Sequence, residues 1–336
     1  KHSWLIDCGL FQGFRDLRRR NWNALPIDEK SLNAVILTHA HIDHSGYLPV
    51  LVNSGFKGPI LASEPTVDLL NVLLPDAGYI QEEDARFASA HGFSKHRDPV
   101  PLYTYKDAVR SLDQLQAIDD RKWFELAENV RLMLRSSGHI LGARFVNVSV
   151  KEPHRHFNIM FAGDIGRYDS LLVHEPGRVK SVNYLVLEST YGNRLHKTED
   201  IYAHFAEVIN RTIKRGGKVV IPAFAVNRTQ EVLYILRKLE EQGRLPDVPI
   251  YLNSPLAIDA TRIYMNHVDE HNFKIHGTPP EKIFQPSRLI LVHDSADSKM
   301  LNNLEEEAII ISSSGMMTGG RILHHLKRYL PDKKST

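Results

Sequence analysis

The run His39-Ala40-His41-Ile42-Asp43-His44 puts three imidazoles and a carboxylate within six residues, directly after the apolar stretch Ala34–Leu37. Neutral imidazole and carboxylate oxygen are donors that suit zinc. Residues two apart point the same way as a chain leaves a strand, so His39 and His41 can share one ion. Asp43 and His44 fall on the following turn and can face a second. Two ions about 3.5–4 Å apart are a standard hydrolytic pair. The bland alternative is a polar loop with a chance histidine cluster, which this order of donors disfavours. His139 lies in Ser137-Gly138-His139-Ile140-Leu141-Gly142-Ala143, among small residues that permit close backbone approach. Asp164 follows an apolar run in Phe161-Ala162-Gly163-Asp164-Ile165-Gly166-Arg167, and its two oxygens suit it to bridge two ions. Asp7, after Trp4-Leu5-Ile6, either orients a ligating histidine from outside the metal's own shell or simply ends its strand.

Short apolar strands alternating with amphipathic helices must carry these residues, a pattern that reads as α/β with layered sheets. Strands are expected at Ala34–Leu37, Phe145–Val150, Phe157–Ala162, Tyr184–Leu187, Lys218–Ile221, Ile250–Leu252, Leu289–Val292 and Ile309–Ile311. Phe157–Ala162 and Tyr184–Leu187 run straight toward acidic residues, Asp164 and Glu188. Val232, Leu233, Leu236 and Leu239 recur at helical spacing within Thr229–Gln242, with Asn227 and Gln230 as an expected N-terminal capping pair and Gly243 as the stop. Ser254-Pro255 opens another helix, and Ile201, Phe205, Val208, Ile209 and Ile213 give a third one apolar face. The second half therefore reads as a Rossmann-like unit without a dinucleotide fingerprint, because Gly216-Gly217 precedes its strand. A polar boundary is expected near Asn193–Lys197.

The 336 residues are 42% apolar and 24% charged, which excludes a disordered or collagen-like chain. At about 150 residues per domain, two domains are expected. No apolar stretch approaches the roughly 20 residues that span a bilayer, so no membrane partner is expected. The chain starts as if already inside a strand. A single cysteine, Cys8, excludes an intramolecular disulfide and fits the cytoplasm. Lys and Arg number 42 against 40 Asp and Glu, so a nucleic-acid partner must be met by a local patch. Eighteen histidines against one cysteine point to histidine and carboxylate as metal donors. The run Arg15, Arg18, Arg19, Arg20 is the one dense basic cluster; it reads first as a solvated helix face and second as an RNA contact. Trp22 and Trp123 read as core residues rather than base-stacking platforms.

Taken together, these residues resemble the metallo-β-lactamase fold, whose His-x-His-x-Asp-His signature matches His39–His44, with His139 and Asp164 matching its later donors. More narrowly, the chain resembles the β-CASP nucleases of RNA processing. Asp7-Cys8-Gly9-Leu10-Phe11-Gln12-Gly13 resembles their first motif, and Leu187-Glu188-Ser189-Thr190-Tyr191-Gly192 their acidic motif A in its RNA-processing form. Pro222-Ala223-Phe224-Ala225-Val226-Asn227-Arg228-Thr229-Gln230-Glu231 resembles a cap motif, with Asn227 where glycine is more usual; both residues tolerate a left-handed backbone. Ser312-Ser313-Ser314-Gly315-Met316-Met317-Thr318-Gly319-Gly320 resembles a further cap loop.

The resemblance implies an incomplete αββα metallo-β-lactamase sandwich over residues 1–193 and an inserted Rossmann-like β-CASP cap over residues 194–336, the cap roofing the site. It implies two Zn2+, one on His39, His41 and His139 and one on Asp43 and His44, with Asp164 bridging. It also implies hydrolysis of phosphodiester bonds in single-stranded RNA, endonucleolytic with 5′→3′ exonuclease activity in some members. Glu188 would act near the leaving group, Asp43 and Asp164 at the metals. Arg167, Arg228, Ser314, Gly315 and Thr318 would meet phosphates. A homodimer or an RNA-processing complex is the implied assembly. The family pattern has a strand pair before Asp7 and two histidine motifs beyond Thr336, so the second site is expected to be one ligand short. Three alternatives stand beside this reading: a DNA nuclease of the superfamily, a non-catalytic scaffold subunit, and a small-molecule hydrolase.

Overall fold

A computed structural model describes residues 2–91, 99–195, 200–272 and 279–336. The chain divides into two compact units, Lys1–Thr190 and Tyr191–Thr336. His196 and Lys197, at the expected boundary, lie outside the described residues.

The first unit contains strands β1 (Trp4–Ile6), β2 (Ala34–Ile36), β3 (Ile60–Ala62), β4 (Leu115–Ala117), β5 (Phe124–Ala127), β6 (Val130–Ser136), β7 (Arg144–Glu152), β8 (Arg155–Phe161) and β9 (Tyr184–Val186). β1 to β4 pair in sequence order as a parallel sheet, with Ile6 opposite Ile36 and Val35 opposite Ile60. Parallel neighbours need long crossovers, and the helices Leu48–Asn53, Glu64–His91 and Tyr105–Leu112 supply them. The second sheet runs β5-β6-β7-β8-β9, antiparallel except between β8 and β9. Ala34, Ile36 and Leu61 from the first sheet interlock with Leu132, Leu134, Val146 and Val148 from the second, all buried. Each fully buried aliphatic side chain contributes roughly 1.5–3 kcal/mol, so this layer fixes how the sheets meet. Among the described residues of this unit no helix follows β5, so its layers are helix, sheet, sheet.

That stacking decides where the polar residues go. β6, β8 and β9 run in one direction, because β6 and β8 are each antiparallel to β7 and β9 is parallel to β8. The Arg144 N–H donates to the Thr38 carbonyl at 2.8 Å, tying the start of β7 to the end of β2. Asp7, His39, His139, Asp164 and Glu188 each follow the C-terminal end of a strand within a few residues. One rim of the sandwich therefore collects them.

The second unit is a parallel sheet of β10 (Lys218–Pro222), β11 (Ile250–Asn253), β12 (Leu289–Leu291) and β13 (Ala308–Ser312), in the order β10-β13-β11-β12. Central β13 is buried throughout, as a two-sided parallel strand must be. Helices Ile201–Lys214, Arg228–Glu241 and Pro255–Asn266 accompany it.

Two expectations from sequence fail here. Asn227 and Gln230 do not form a capping pair. Asn227 adopts φ 68° and ψ −61°, and the Arg228 N–H donates back to the Val226 carbonyl at 3.0 Å, a γ-turn of positive φ. Gln230 is buried and spends its amide on the Ala225 carbonyl (3.1 Å) and Thr261 Oγ1 (2.8 Å). Nor are the tryptophans core residues. Trp22 is 58% exposed, and Trp123 is exposed beneath the Arg131 guanidinium, 5.0 Å from its ring centroid. Trp22 ends the 3-10 turn Arg20–Trp22 and Trp123 directly precedes β5, so neither lies on the apolar face of a strand or α-helix.

His325, buried on the helix Ile322–Tyr329, holds the second unit's interior polar network. Its Nδ1–H donates to Asn302 Oδ1 at 2.9 Å, and its Nε2 accepts from Asn253 Nδ2 at 2.6 Å. A second ring proton would face a donor. Burial, then His324 and Arg321, push its pKa down from 6.5 to about 4. The unfolded chain thus binds the extra proton first as pH falls. The stabilisation is complete above about pH 6.5 and is lost toward pH 4, roughly 3 kcal/mol in all. Denaturant midpoints measured across that window should fall with acidity, and His325→Gln should flatten the fall. A midpoint independent of pH would contradict this.

Candidate metal centre

Donor atoms of His39, His41, His139 and Asp164 lie within 4.8 Å of one another. His39 Nε2 is 3.0 Å from His41 Nδ1, and His139 Nε2 is 3.3 Å from the same nitrogen. Asp164 Oδ2 stands 3.3 Å from His139 Nε2 and 3.7 Å from His39 Nε2. A tetrahedral ion with bonds of about 2.1 Å separates its donors by about 3.4 Å, so the spacing and the donor chemistry fit a divalent cation. The other oxygen of Asp164, Oδ1, faces His44 Nε2 at 3.3 Å. Asp43 sits on the same turn, its Oδ2 4.0 Å from His44 Nε2, and its side chain is more open to solvent. Asp164 thus offers one oxygen to the three-histidine group and one to His44.

Two residues outside this shell fix the rings. Asp7, at φ 58° just past β1, accepts from the Thr38 N–H (2.7 Å) and Thr38 Oγ1 (2.8 Å) and holds His44 Nδ1 at 2.7 Å. With its proton on Asp7, the Thr38 hydroxyl can only accept from His39 Nδ1, 3.0 Å away. That puts the His39 proton on Nδ1 and leaves Nε2 free to ligate. Thr38 was missed in the sequence. Its one signal is a hydroxyl residue placed between a buried strand and the first histidine.

Electrostatics favour neutral donors. Burial, reinforced by the neighbouring histidines, holds His39 well below the usual histidine range. Burial and His139 push His41 down to about 3, against the pull of Asp164. Burial also lowers His139. His44 goes the other way: burial opposes its charge, but hydrogen bonds to Asp164 and Asp7 raise it to about 10. The hydrogen bond from His44 keeps Asp164 ionised below the usual carboxylate range.

The loops carrying these donors approach too closely for side chains. A Cβ on Gly166 would stand 1.6 Å from the Gly138 carbonyl oxygen, next to His139. A Cβ on Gly9 would stand 1.5 Å from the Asp43 carbonyl oxygen. Both glycines are therefore part of the site without touching any donor.

Glu188 lies beside this rim. Its Oε1 accepts from the Ile165 N–H (3.2 Å) and its Oε2 from the Thr190 N–H (3.1 Å). Burial works against its charge, but the bonds from Thr190 and Ile165 prevail and lower its pKa. Arg167 is turned onto Asp169 in a two-pronged pair of 2.8 and 2.7 Å. Arg228, in the second unit, pairs with Glu231 at 2.7 Å. Ser314, Gly315 and Thr318 lie on the loop after β13, where a Cβ on Gly315 would meet the Phe224 backbone nitrogen at 2.9 Å. Loops following the neighbouring strands β10 and β13 thus touch.

Two outcomes test this geometry. Asp7→Asn keeps a residue that tolerates positive φ and every donor, yet should weaken metal binding about 10–100-fold in competition with a chromophoric chelator. Unchanged affinity would contradict the orienting role. Gly166→Ala should lower both the melting temperature and the metal content, because its Cβ must drive the His139 and Asp164 loops apart.

Comparison with known proteins adds an independent line. Residues 1–74 match the metallo-beta-lactamase superfamily and residues 229–336 the Beta-Casp domain. The ribonuclease TTHA0252 of Thermus thermophilus is 34% identical over 334 residues, covering 98% of this chain and 72% of that protein. An RNase J-like protein of Methanocaldococcus jannaschii is 30% identical over 98% of this chain and 70% of its own length. Transcription termination factor FttA of the same organism is 29% identical over 98% of this chain, which spans only 51% of that protein. The chain belongs to the β-CASP family of the metallo-β-lactamase superfamily.

Proposed function

We propose that this chain carries the catalytic centre of a zinc-dependent ribonuclease that hydrolyses phosphodiester bonds of single-stranded RNA endonucleolytically. The observation that carries the reading is the convergence of His39, His41, His139 and Asp164. Three neutral imidazoles with one carboxylate match zinc better than magnesium or calcium, which prefer all-oxygen shells. RNA as substrate is supported by the names of the ribonuclease and RNase J-like relatives. A scaffold subunit has no need of an intact donor set. No helix among the described residues is long and apolar enough to cross a membrane. We place the protein in the cytoplasm, where RNA and a lone buried thiol, Cys8, are both at home.

A divalent ion bound in this set would supply Lewis-acid polarisation of the phosphodiester and a lowered pKa for a bound water. The chain's own residues do the rest. His39, His41 and His139 would hold one ion and His44 and Asp43 a second, with one Asp164 oxygen facing each set. Asp7 and Thr38 keep the His44 and His39 rings aimed. Glu188 is ionised at neutral pH with both oxygens engaged by backbone N–H groups. It therefore acts by holding the Asp164–Gly166 turn that carries the shared carboxylate, rather than as a resting proton donor.

End-labelled single-stranded RNA and DNA of matching sequence separate the readings, with Asp164→Ala as the blank. RNA cleavage should appear and fall about 100-fold or more in the variant. Cleavage of DNA alone would make the protein a DNA nuclease. Metal binding without cleavage of either would make it a scaffold.

A further inference from the structure

Between β1 and β2 the chain makes an excursion whose exposed side chains the catalytic centre does not use. Its base is part of the site. The Cys8 N–H donates to the His44 carbonyl at 2.7 Å and the Leu10 N–H to the Ile42 carbonyl at 3.0 Å. The excursion, residues 11–22, then closes on itself. Asn21 Oδ1 accepts from the Phe11 N–H (2.8 Å), and Asn21 Nδ2 donates to the Phe11 carbonyl (2.9 Å). Tyr47 Oη adds a bond to the Asn23 carbonyl at 3.2 Å. The excursion, which holds the short helix Arg15–Arg19 and the 3-10 turn Arg20–Trp22, is thus pinned beside the helix Ile42–Ser45 that carries Asp43 and His44.

What it displays is unusual for a solvated surface. Phe14 is 84% exposed and Trp22 58% exposed, on a segment holding four arginines against one aspartate. Arg19 pairs with that aspartate, Asp16, at 3.3 Å, and Arg18 lies near Asp84. Among the described residues no acidic side chain pairs with Arg15 or Arg20, and the Arg20 guanidinium lies 5.6 Å from the Phe11 ring centroid. Cations for phosphates, interleaved with open aromatic faces for bases, are the chemistry of single-strand recognition.

We propose that residues 11–22 form a single-stranded RNA-binding surface beside the metal centre, with Arg15 and Arg20 on phosphates and Phe14 and Trp22 under bases. The proposal rests on the ribonuclease reading and adds where the substrate strand lies. The loop's anchorage means it presents these groups without being ordered by the ligand, so little of the binding energy goes into ordering it.

The test measures equilibrium binding of a fluorescent single-stranded RNA of about 20 nucleotides to Asp164→Ala protein, which binds without cutting, over a salt series. Arg15→Ala/Arg20→Ala should weaken binding about tenfold and reduce the salt slope by about 1.4, for two phosphate contacts at about 0.7 each. Arg15→Lys/Arg20→Lys should restore most of that slope. Phe14→Ala/Trp22→Ala should weaken binding at least about fivefold and leave the slope unchanged. All of these side chains are exposed, so melting temperatures should stay near the parent's. RNA bound equally well by all variants and parent would overturn the surface while sparing the ribonuclease reading, and would leave the patch to an acidic protein. A parent that binds no RNA, with a wild type that cleaves none, would overturn both.

Discussion

Four donors from three separate stretches of chain must sit within one coordination shell, and that requirement shapes the first unit. One buried and two partly buried imidazoles and a carboxylate pay no attention to sequence distance; they need the loops after β2, β6 and β8 to meet. The loops meet because Gly166 has no side chain where the Gly138 carbonyl stands, and because Gly9 lets the loop after β1 press on Asp43. The hydrophobic layer of Ile36, Leu61, Leu134 and Val146 brings the two sheets together so that those loops leave from one rim. Packing sets the rim, glycine sets the approach, and hydrogen bonding from Asp7 and Thr38 sets the ring orientation.

The donor shell is also where the fold accepts an unfavourable state. Histidines at 3.0–3.3 Å from one another, away from water, cannot be charged together, and burial keeps His39, His41 and His139 neutral. His44 is held instead between two carboxylates, which favour its charged form. An ion at His44 Nε2 would face Asp164 directly, while the Nδ1 proton stays on Asp7. The site is therefore arranged for positive charge before any ion arrives, which is the sense in which a metal site is preorganised.

Much of this could be read from residue order. Six consecutive residues carry the metal signature because His39–His44 leaves a strand and turns at once, so local spacing is spatial spacing. Parallel strands such as Ala34–Ile36 and Ala308–Ser312 are legible because both faces are buried and the run is continuously apolar. Asp7 and Thr38 are another matter. Their partnership joins positions 31 residues apart, and nothing in a one-dimensional pattern marks it. Trp22 shows the opposite failure. A tryptophan is usually buried, but the 3-10 turn that carries it is fixed by the Asn21 side chain and not by an apolar face, so composition misleads. Gln230 looked like a cap because capping signals are read from spacing, whereas its real partners come from the loop before its helix and from the next helix.

The central claim is that this rim binds a metal through the donors named. Anomalous scattering at the zinc edge, from crystals grown with zinc, tests it most directly. A peak is expected about 2.0–2.1 Å from His39 Nε2, His41 Nδ1 and His139 Nε2. Diffraction that shows no peak there, or zinc bound only at other side chains, would contradict it.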